Sequence, residues 1–186
     1  MSTAQLFLRI AIAFVAGSIP FSFLMVKLLG RDIRAFGEGN PGSANAFRAD
    51  GLKAGIPSII FDSFKGVIPV AFLVKEALEY QLPLIAIAPV LGHSFSSFLR
   101  MRGGKAIATS FGIWTAPTAM GIGALASILI FKKSSDMAKL LIVFVRLAGS
   151  LAITGAGPNM WGLFAANFAV VAFKHAQYAA TAQMKP

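Results

Sequence analysis

The residues with the chemistry to bind or transfer a group fall in two polar stretches set between apolar blocks. The first, RDIRAFGEGNPGSANAFRADGLK from Arg31 to Lys53, carries Gly30, Gly37, Gly39, Gly42 and Gly51 in or beside it, with Pro41, Asn40, Ser43, Asn45, Arg31, Arg34 and Arg48. Glycine and asparagine accept the left-handed backbone of a tight loop. Such a loop turns N–H groups outward, and a nearby guanidinium completes a cradle for phosphate. A connector whose cations only fix membrane orientation is the simpler reading, but it requires no GxGNPGSAN density. The stretch is therefore read as half of an anionic-ligand site. The second stretch, Arg102-Gly103-Gly104-Lys105, precedes an apolar helical run from Ala106 to Ser110. A glycine pair at a helix N-terminus exposes unpaired N–H groups, the helix dipole favours an anion, and Lys105 adds charge. No GxxxxGK pattern and no preceding strand make it a nucleotide loop. Alone it equally suits a charge anchor; beside the first loop it reads as a second phosphate clamp.

Other ionisable residues lie inside apolar blocks. Asp62 and Lys65 are three apart and share a helix face. Charges at membrane depth are costly and face a bundle interior with a partner, so these two are either a structural ion pair or substrate contacts. Arg146 either neutralises a carboxylate or helps line the site. His93 and His175 are the only histidines. Each is either a structural hydrogen-bonder or a contact for the hydroxyls or phosphate of a polar substrate, and two without neighbouring ligands make no zinc site. The absence of cysteine removes both a disulfide framework and a thiol nucleophile.

The elements that must position these groups are membrane spans. Of 186 residues, 56% are hydrophobic and 13% charged, against about 25% charged in soluble domains. The apolar residues come in blocks, as in a polytopic membrane protein. The net charge of +10 does not point to nucleic acid, because the cations flank apolar blocks and no basic-aromatic groove pattern occurs. Predicted spans run from Gln5 to Leu28, read as retained rather than as a signal peptide, then Ala54 to Val74, Leu82 to Leu99, Ala138 to Thr154 and Asn159 to Phe173. Between Lys105 and Phe131 two short segments hinged near Ala116-Pro117 are expected. That hairpin keeps Arg100, Arg102, Lys105, Lys132, Lys133 and Lys139 on one side, as the positive-inside rule prefers. Seven segments then place thirteen of the seventeen basic residues in the cytoplasm, with the N-terminus outside and the C-terminus and candidate site inside. The expected fold is a single all-α membrane bundle over residues 1–186, without internal repeat.

These stretches together resemble the acyl-phosphate-dependent glycerol-3-phosphate acyltransferases of bacterial membranes, the PlsY family. The resemblance covers GSIPFSFLMVKLLGRDIRAFGEGNPGSANAFR from Gly17 to Arg48, a D-x-x-K-G pattern at Asp62 to Gly66, and GHxF followed by GGK and a small-residue helix from Gly92 to Gly112. A last, histidine-containing motif has its remnant in Lys174-His175. The resemblance implies an enzyme of the bacterial cytoplasmic membrane in which the 1-hydroxyl of glycerol 3-phosphate attacks a long-chain acyl phosphate. Products are 1-acylglycerol 3-phosphate and phosphate, with no coenzyme A, carrier protein, metal or other cofactor. It implies that Asn45, Arg48, Lys105 and His175 hold glycerol 3-phosphate, and that Asn40, Gly42, Ser43, Gly103 and Gly104 receive the acyl phosphate. The tail would lie between lipid-facing helices. Glu38, Asn40, Ser43, Lys105 and His175 are the catalytic candidates; Asn45, Arg48, Gly42, His93, Gly103, Gly104, Asp62 and Lys65 are the substrate-binding ones.

Several positions depart from the family pattern. Glu38 stands where serine is usual and Ala44 where threonine is, with Ser43 adjacent to supply a hydroxyl. Ser96 replaces a common proline, Lys174 an arginine and Tyr178 an asparagine, and a basic RL-x-x-G tail is missing. A carboxylate beside two phosphates is unfavourable unless Glu38 pairs with Arg34, Arg48 or Lys105, or stays protonated; otherwise it is a general base. The alternatives from other classes are a non-catalytic binder of phospholipid precursors and an organophosphate transporter.

Overall fold

The computed structural model describes residues 1–118 and 136–183, all helix and connecting turns with no strand among them. Helix α1 spans Thr3–Ser18 and α2 Phe21–Leu28. Helices α3 to α7 follow as Ser43–Leu73, Leu82–Ser94, Ile107–Thr118, Asp136–Ile153 and Pro158–Gln183. Three stretches are long and apolar enough to cross a bilayer, Thr3–Leu28, Ser43–Leu73 and Leu82–Leu99, with Leu140–Ile153 a shorter apolar helix. Their outward faces carry large apolar side chains, among them Phe7, Phe64, Phe72, Val145 and Ile153. Exposed apolar surface on this scale fits hydrocarbon rather than water as the surrounding medium.

Small residues set the helix crossings. At Gly17 and Gly92, α1 and α4 come so close that a Cβ on either would overlap the other helix's backbone. Gly66 of α3 and Gly112 of α5 make the corresponding contact. Close backbone approach through glycine substitutes for the hydrophobic drive that lipid removes. Trp114 of α5 and Leu147, Leu151, Leu163 and Val171 of α6 and α7 fill the main apolar core. There Phe144 meets Phe164 and Phe168 edge-on, with ring centroids 5.6 and 5.0 Å apart.

Three expectations change, and a fourth falls at the edge of the described residues. The first span is broken: Pro20 lacks an N–H and Ile19 is extended, so α1 ends at Ser18 and α2 restarts at Phe21. The polar stretch is not loop throughout, because α3 begins at Ser43 and runs through Asn45 and Arg48. It kinks at Asp50-Gly51, where Gly51 has φ +55°. Helix α5 is described through Ala116-Pro117 to Thr118, and the expected hinge region beyond it, with the second half of the hairpin, lies outside the described residues. Helix α7 extends to Gln183, ten residues beyond the expected end at Phe173.

The ends of the bundle differ in chemistry. At one end Arg9 of α1 donates to the Leu73 carbonyl at 2.8 Å and pairs with Glu76 at 3.1 Å. The other end gathers the C-terminus of α2, the glycine loop, the starts of α3 and α5, the end of α4 and the C-terminal half of α7. The glycine crossings yield a test using one substitution at two places. Gly112→Ala should lower thermal stability in detergent by about 1–3 kcal/mol, the usual cost of overpacking. Gly149→Ala, in α6 with open space around its Cβ position, should leave it unchanged or raise it by about 0.5–1 kcal/mol.

Candidate active site

The glycine loop is built from short capped turns. After α2 the chain reverses at Gly30 and enters a 3-10 turn, Ile33–Ala35, whose N-cap Asp32 accepts from the Arg34 N–H at 3.0 Å. The Arg34 guanidinium grips the same carboxylate at 2.8 Å. These hydrogen bonds hold the Asp32 carboxyl down at about 2 from an ordinary 3.8 and raise the Arg34 guanidinium. The cap is at full strength above pH 3.8 and is lost as pH falls through about 2. Asn45 braces the far side of the loop. Its Nδ2 donates to the Phe36 carbonyl at 2.8 Å and its Oδ1 accepts from Arg48 Nη1 at 2.6 Å. Gly42 caps α3 without a side-chain partner for the first-turn N–H groups, which leaves that terminus suited to an anion.

The second turn is held against α4. Gly104 N–H donates to the His93 carbonyl at 3.0 Å. A Cβ on Gly103 would overlap that carbonyl, and one on Gly104 would overlap the His93 ring. From the C-terminal half of α7, Tyr178 donates its hydroxyl proton to the Gly103 carbonyl at 2.8 Å. Lys105 then reaches Glu38 of the first loop, Nζ to Oε2 2.5 Å. Glu38 therefore pairs with Lys105; Arg34 is taken by Asp32 and Arg48 by Asn45.

A cavity of about 310 Å³ lies where the two turns meet. Glu38, Asn40, Ser43, Arg48, Lys105 and His175 line its polar side, with Gly42, Asp62 and His93, and Phe47, Ile59, Ile107, Ala108 and Phe111 form an apolar wall. Asn40 is buried, and its Oδ1 has no hydrogen-bond partner among the described residues. His175 Nδ1 lies 2.9 Å from the Val171 carbonyl, which as an acceptor takes the Nδ1 proton. All five catalytic candidates thus share one cavity.

The substrate-binding candidates divide. Arg48, Gly42, His93 and Asp62 line the cavity, whereas Asn45, Gly103, Gly104 and Lys65 do not. Asn45 and the two glycines shape it from behind. Lys65 belongs instead to a buried network. Its Nζ donates to the Ile19 carbonyl at 2.8 Å and pairs with Asp62 at 2.9 Å. Ser22 donates to Asp62 at 2.5 Å, and Thr109 donates to the Asp62 carbonyl at 2.9 Å. Thr109 Oγ1 also lies 3.2 Å from His93 Nδ1. Asp62 and Lys65 do form the ion pair, and Asp62 lines the cavity while Lys65 does not. Arg146 is exposed on α6 and lines no cavity described here. Ser22, Thr109 and the Ser110–Asn167 pair at 2.7 Å were not singled out from sequence, because small hydroxyls and amides inside apolar helices carry no positional signal.

A model of the glycerol-3-phosphate acyltransferase family matches residues 7–182. Glycerol-3-phosphate acyltransferase 1 of Thermotoga maritima is 44% identical over 116 residues, 60% of this chain and 57% of that protein. The glycerol-3-phosphate acyltransferase of Macrococcus caseolyticus is 42% identical over 110 residues, 59% of this chain and 57% of that protein. The chain thus matches less than two thirds of the length of these curated relatives. Among solved structures, the integral membrane glycerol 3-phosphate acyltransferase PlsY (YgiH), in its glycerol 3-phosphate form, superposes with a TM-score of 0.83 at 28% identity. That alignment covers 92% of this chain and 88% of the other. The lysophosphatidic acid form gives 0.79 at 26% identity.

The buried network carries its own test. Asp62→Ala leaves the Lys65 ammonium buried without its counter-charge and should destabilise the fold by about 3–5 kcal/mol. The double change Asp62→Leu with Lys65→Met should cost less than the sum of the two single changes. Reversible unfolding in mixed micelles measures both.

Proposed function

The chain belongs to the glycerol-3-phosphate acyltransferase family, and from that premise we propose that it transfers a fatty acyl group from a long-chain acyl phosphate to the 1-hydroxyl of glycerol 3-phosphate. The relatives' names give the acceptor, and the solved neighbour's two forms contain that acceptor and a lysophosphatidic acid. The observation that carries the reading is the two-sided cavity, with Arg48, Lys105 and His175 at one wall and Phe47, Ile59, Ile107, Ala108 and Phe111 at another. A soluble sugar phosphate needs only the first wall, and a lipid tail only the second. An acyl phosphate meeting glycerol 3-phosphate needs both. The site faces the cytoplasm in this reading, because the cations gather at its end of the bundle.

The reaction joins the acceptor oxygen to the acyl carbon and breaks the bond between that carbon and the phosphate oxygen. The departing phosphate takes the hydroxyl proton, so no strong protein base is required. Arg48 and Lys105 hold the two phosphates against their repulsion. Asn40 and the N–H groups at the start of α3 face the oxygen on which charge develops. His175, on the same polar wall, is assigned to orient the acceptor. Glu38 is assigned an electrostatic role: it holds Lys105 in place until a substrate phosphate displaces it.

Purified protein in lipid, given acyl phosphate and labelled glycerol 3-phosphate, should form labelled lysophosphatidic acid. Lys105→Gln or Arg48→Gln should lower turnover at least about 100-fold, the scale for loss of a charge-stabilising donor. Binding of glycerol 3-phosphate with no product in the unaltered protein would refute catalysis. Labelled ester accumulating in sealed vesicles would point to transport. Glu38→Gln separates two roles: kcat falling about 100-fold or more at unchanged KM marks a general base, whereas a lower KM at nearly unchanged kcat fits displacement by substrate.

A further inference from the structure

A second chamber, of about 760 Å³, opens beside the inner cavity, and the proposed reaction gives it no part. Its lining includes Arg34, Arg100, Arg102, Lys174, Gln177 and Tyr178. Glu38 is the one residue that lines both chambers, and it is already neutralised by Lys105 at 2.5 Å. Arg34 is likewise neutralised by Asp32. Arg100, Arg102 and Lys174 have no carboxylate partner among the described residues, so the chamber holds three cations in excess.

Lys174 is the informative member. The residue is 2% exposed, yet its ammonium is satisfied only by the neutral Gln177 Oε1 at 2.7 Å and by the faces of Phe95 and Tyr178, with centroids 5.1 and 5.4 Å away. A buried ammonium without an anion is costly, and a bound anion offsets that cost. The rim supports the same reading. Arg100 and Met101 stand consecutively in the left-handed region at φ +51° and +64°, a strain that non-glycine residues adopt where a clamp must be aimed. Arginine adds the planar fork that matches phosphate oxygens.

We propose that this chamber is a second phosphate site, in which Lys174 with Arg100 and Arg102 holds a phosphate dianion, either free or as a monoester, apart from the phosphates in the inner cavity. Phosphate rather than carboxylate is favoured because three cations converge on one space and a single carboxylate leaves two of them unmatched.

Inorganic phosphate titrated calorimetrically into the full chain in phosphatidylcholine nanodiscs tests it. At least two classes of binding event are expected. Lys174→Gln should weaken one class at least tenfold and leave the inner-cavity binding in place, and Lys105→Gln should do the reverse. Arg102→Gln, at an exposed position, should weaken the Lys174-dependent event severalfold even if Lys174→Gln folds poorly. Repeating the titration with phosphatidic acid in the nanodiscs separates the sources. Loss of the Lys174-dependent event there assigns the site to a lipid headgroup, and its persistence to a soluble phosphate; either keeps the site. Phosphate binding that neither Lys174→Gln nor Arg102→Gln alters, whatever the number of events, would overturn it. Acyl transfer is read independently, through Arg48 and Lys105.

Discussion

The interaction on which the rest of the structure depends is the buried meeting of Lys65 with the broken first span. Pro20 interrupts the helix, and the Ile19 carbonyl leaves the regular ladder to accept from the Phe21 N–H at 3.1 Å. Lys65 adds a second, stronger donor at 2.8 Å, but an ammonium inside the bundle demands an anion. Asp62 is that anion, one turn back on the same helix, and Ser22 just past the break completes its shell. The consequences run outward. Thr109 is tied to the Asp62 carbonyl and touches His93, and the His93 carbonyl receives Gly104. A helix break thus sets the place of the turn that presents Lys105, through a network in which Asp62 and His93 also line the cavity.

Glycine makes the network geometrically possible. Gly66 and Gly112 bring α3 and α5 into backbone contact, and Gly103 and Gly104 bring the Lys105 turn onto His93. Any side chain at these positions would push the turn away from the loop it must face. Lipid offers no hydrophobic reward for packing helices together, so van der Waals contact at such crossings and hydrogen bonds inside them hold the bundle. Rigidity matters because the two cations come from positions far apart in sequence and must meet within one cavity.

Much of this was legible in the chain itself, and the failures have physical causes. The glycine loop and the RGGK turn stood out because their composition is costly to keep without backbone demands, and they do meet in space. The start of α3 was hidden because Asn45, Arg48 and Asp50 look like loop residues when they form the polar face of a helix end. Spacing placed Asp62 and Lys65 on one face, yet could not tell whether the ammonium aimed at a ligand or at a carbonyl 46 residues earlier. The break at Pro20 lies inside a run apolar enough to pass as one span. The partner of Glu38 was undecidable among three cations because the pairing depends on tertiary approach alone.

Charge satisfaction separates the two ends of the molecule. At the Arg9 end the cation has its carboxylate and a carbonyl as well, an arrangement complete without a ligand. At the other end Asp32 and Glu38 account for Arg34 and Lys105, while Arg48, Arg100, Arg102 and Lys174 have no carboxylate among the described residues. Exposed arginines tolerate that through hydration, but a buried lysine on aromatic faces does not. The positive charge at this end is therefore not balanced by carboxylates of the described residues. Glu38 belongs to the same logic: as the sole carboxylate on both chambers, it lowers the repulsion between cations while no substrate is bound. Its pairing with Lys105 joins the glycine loop to the turn after α4.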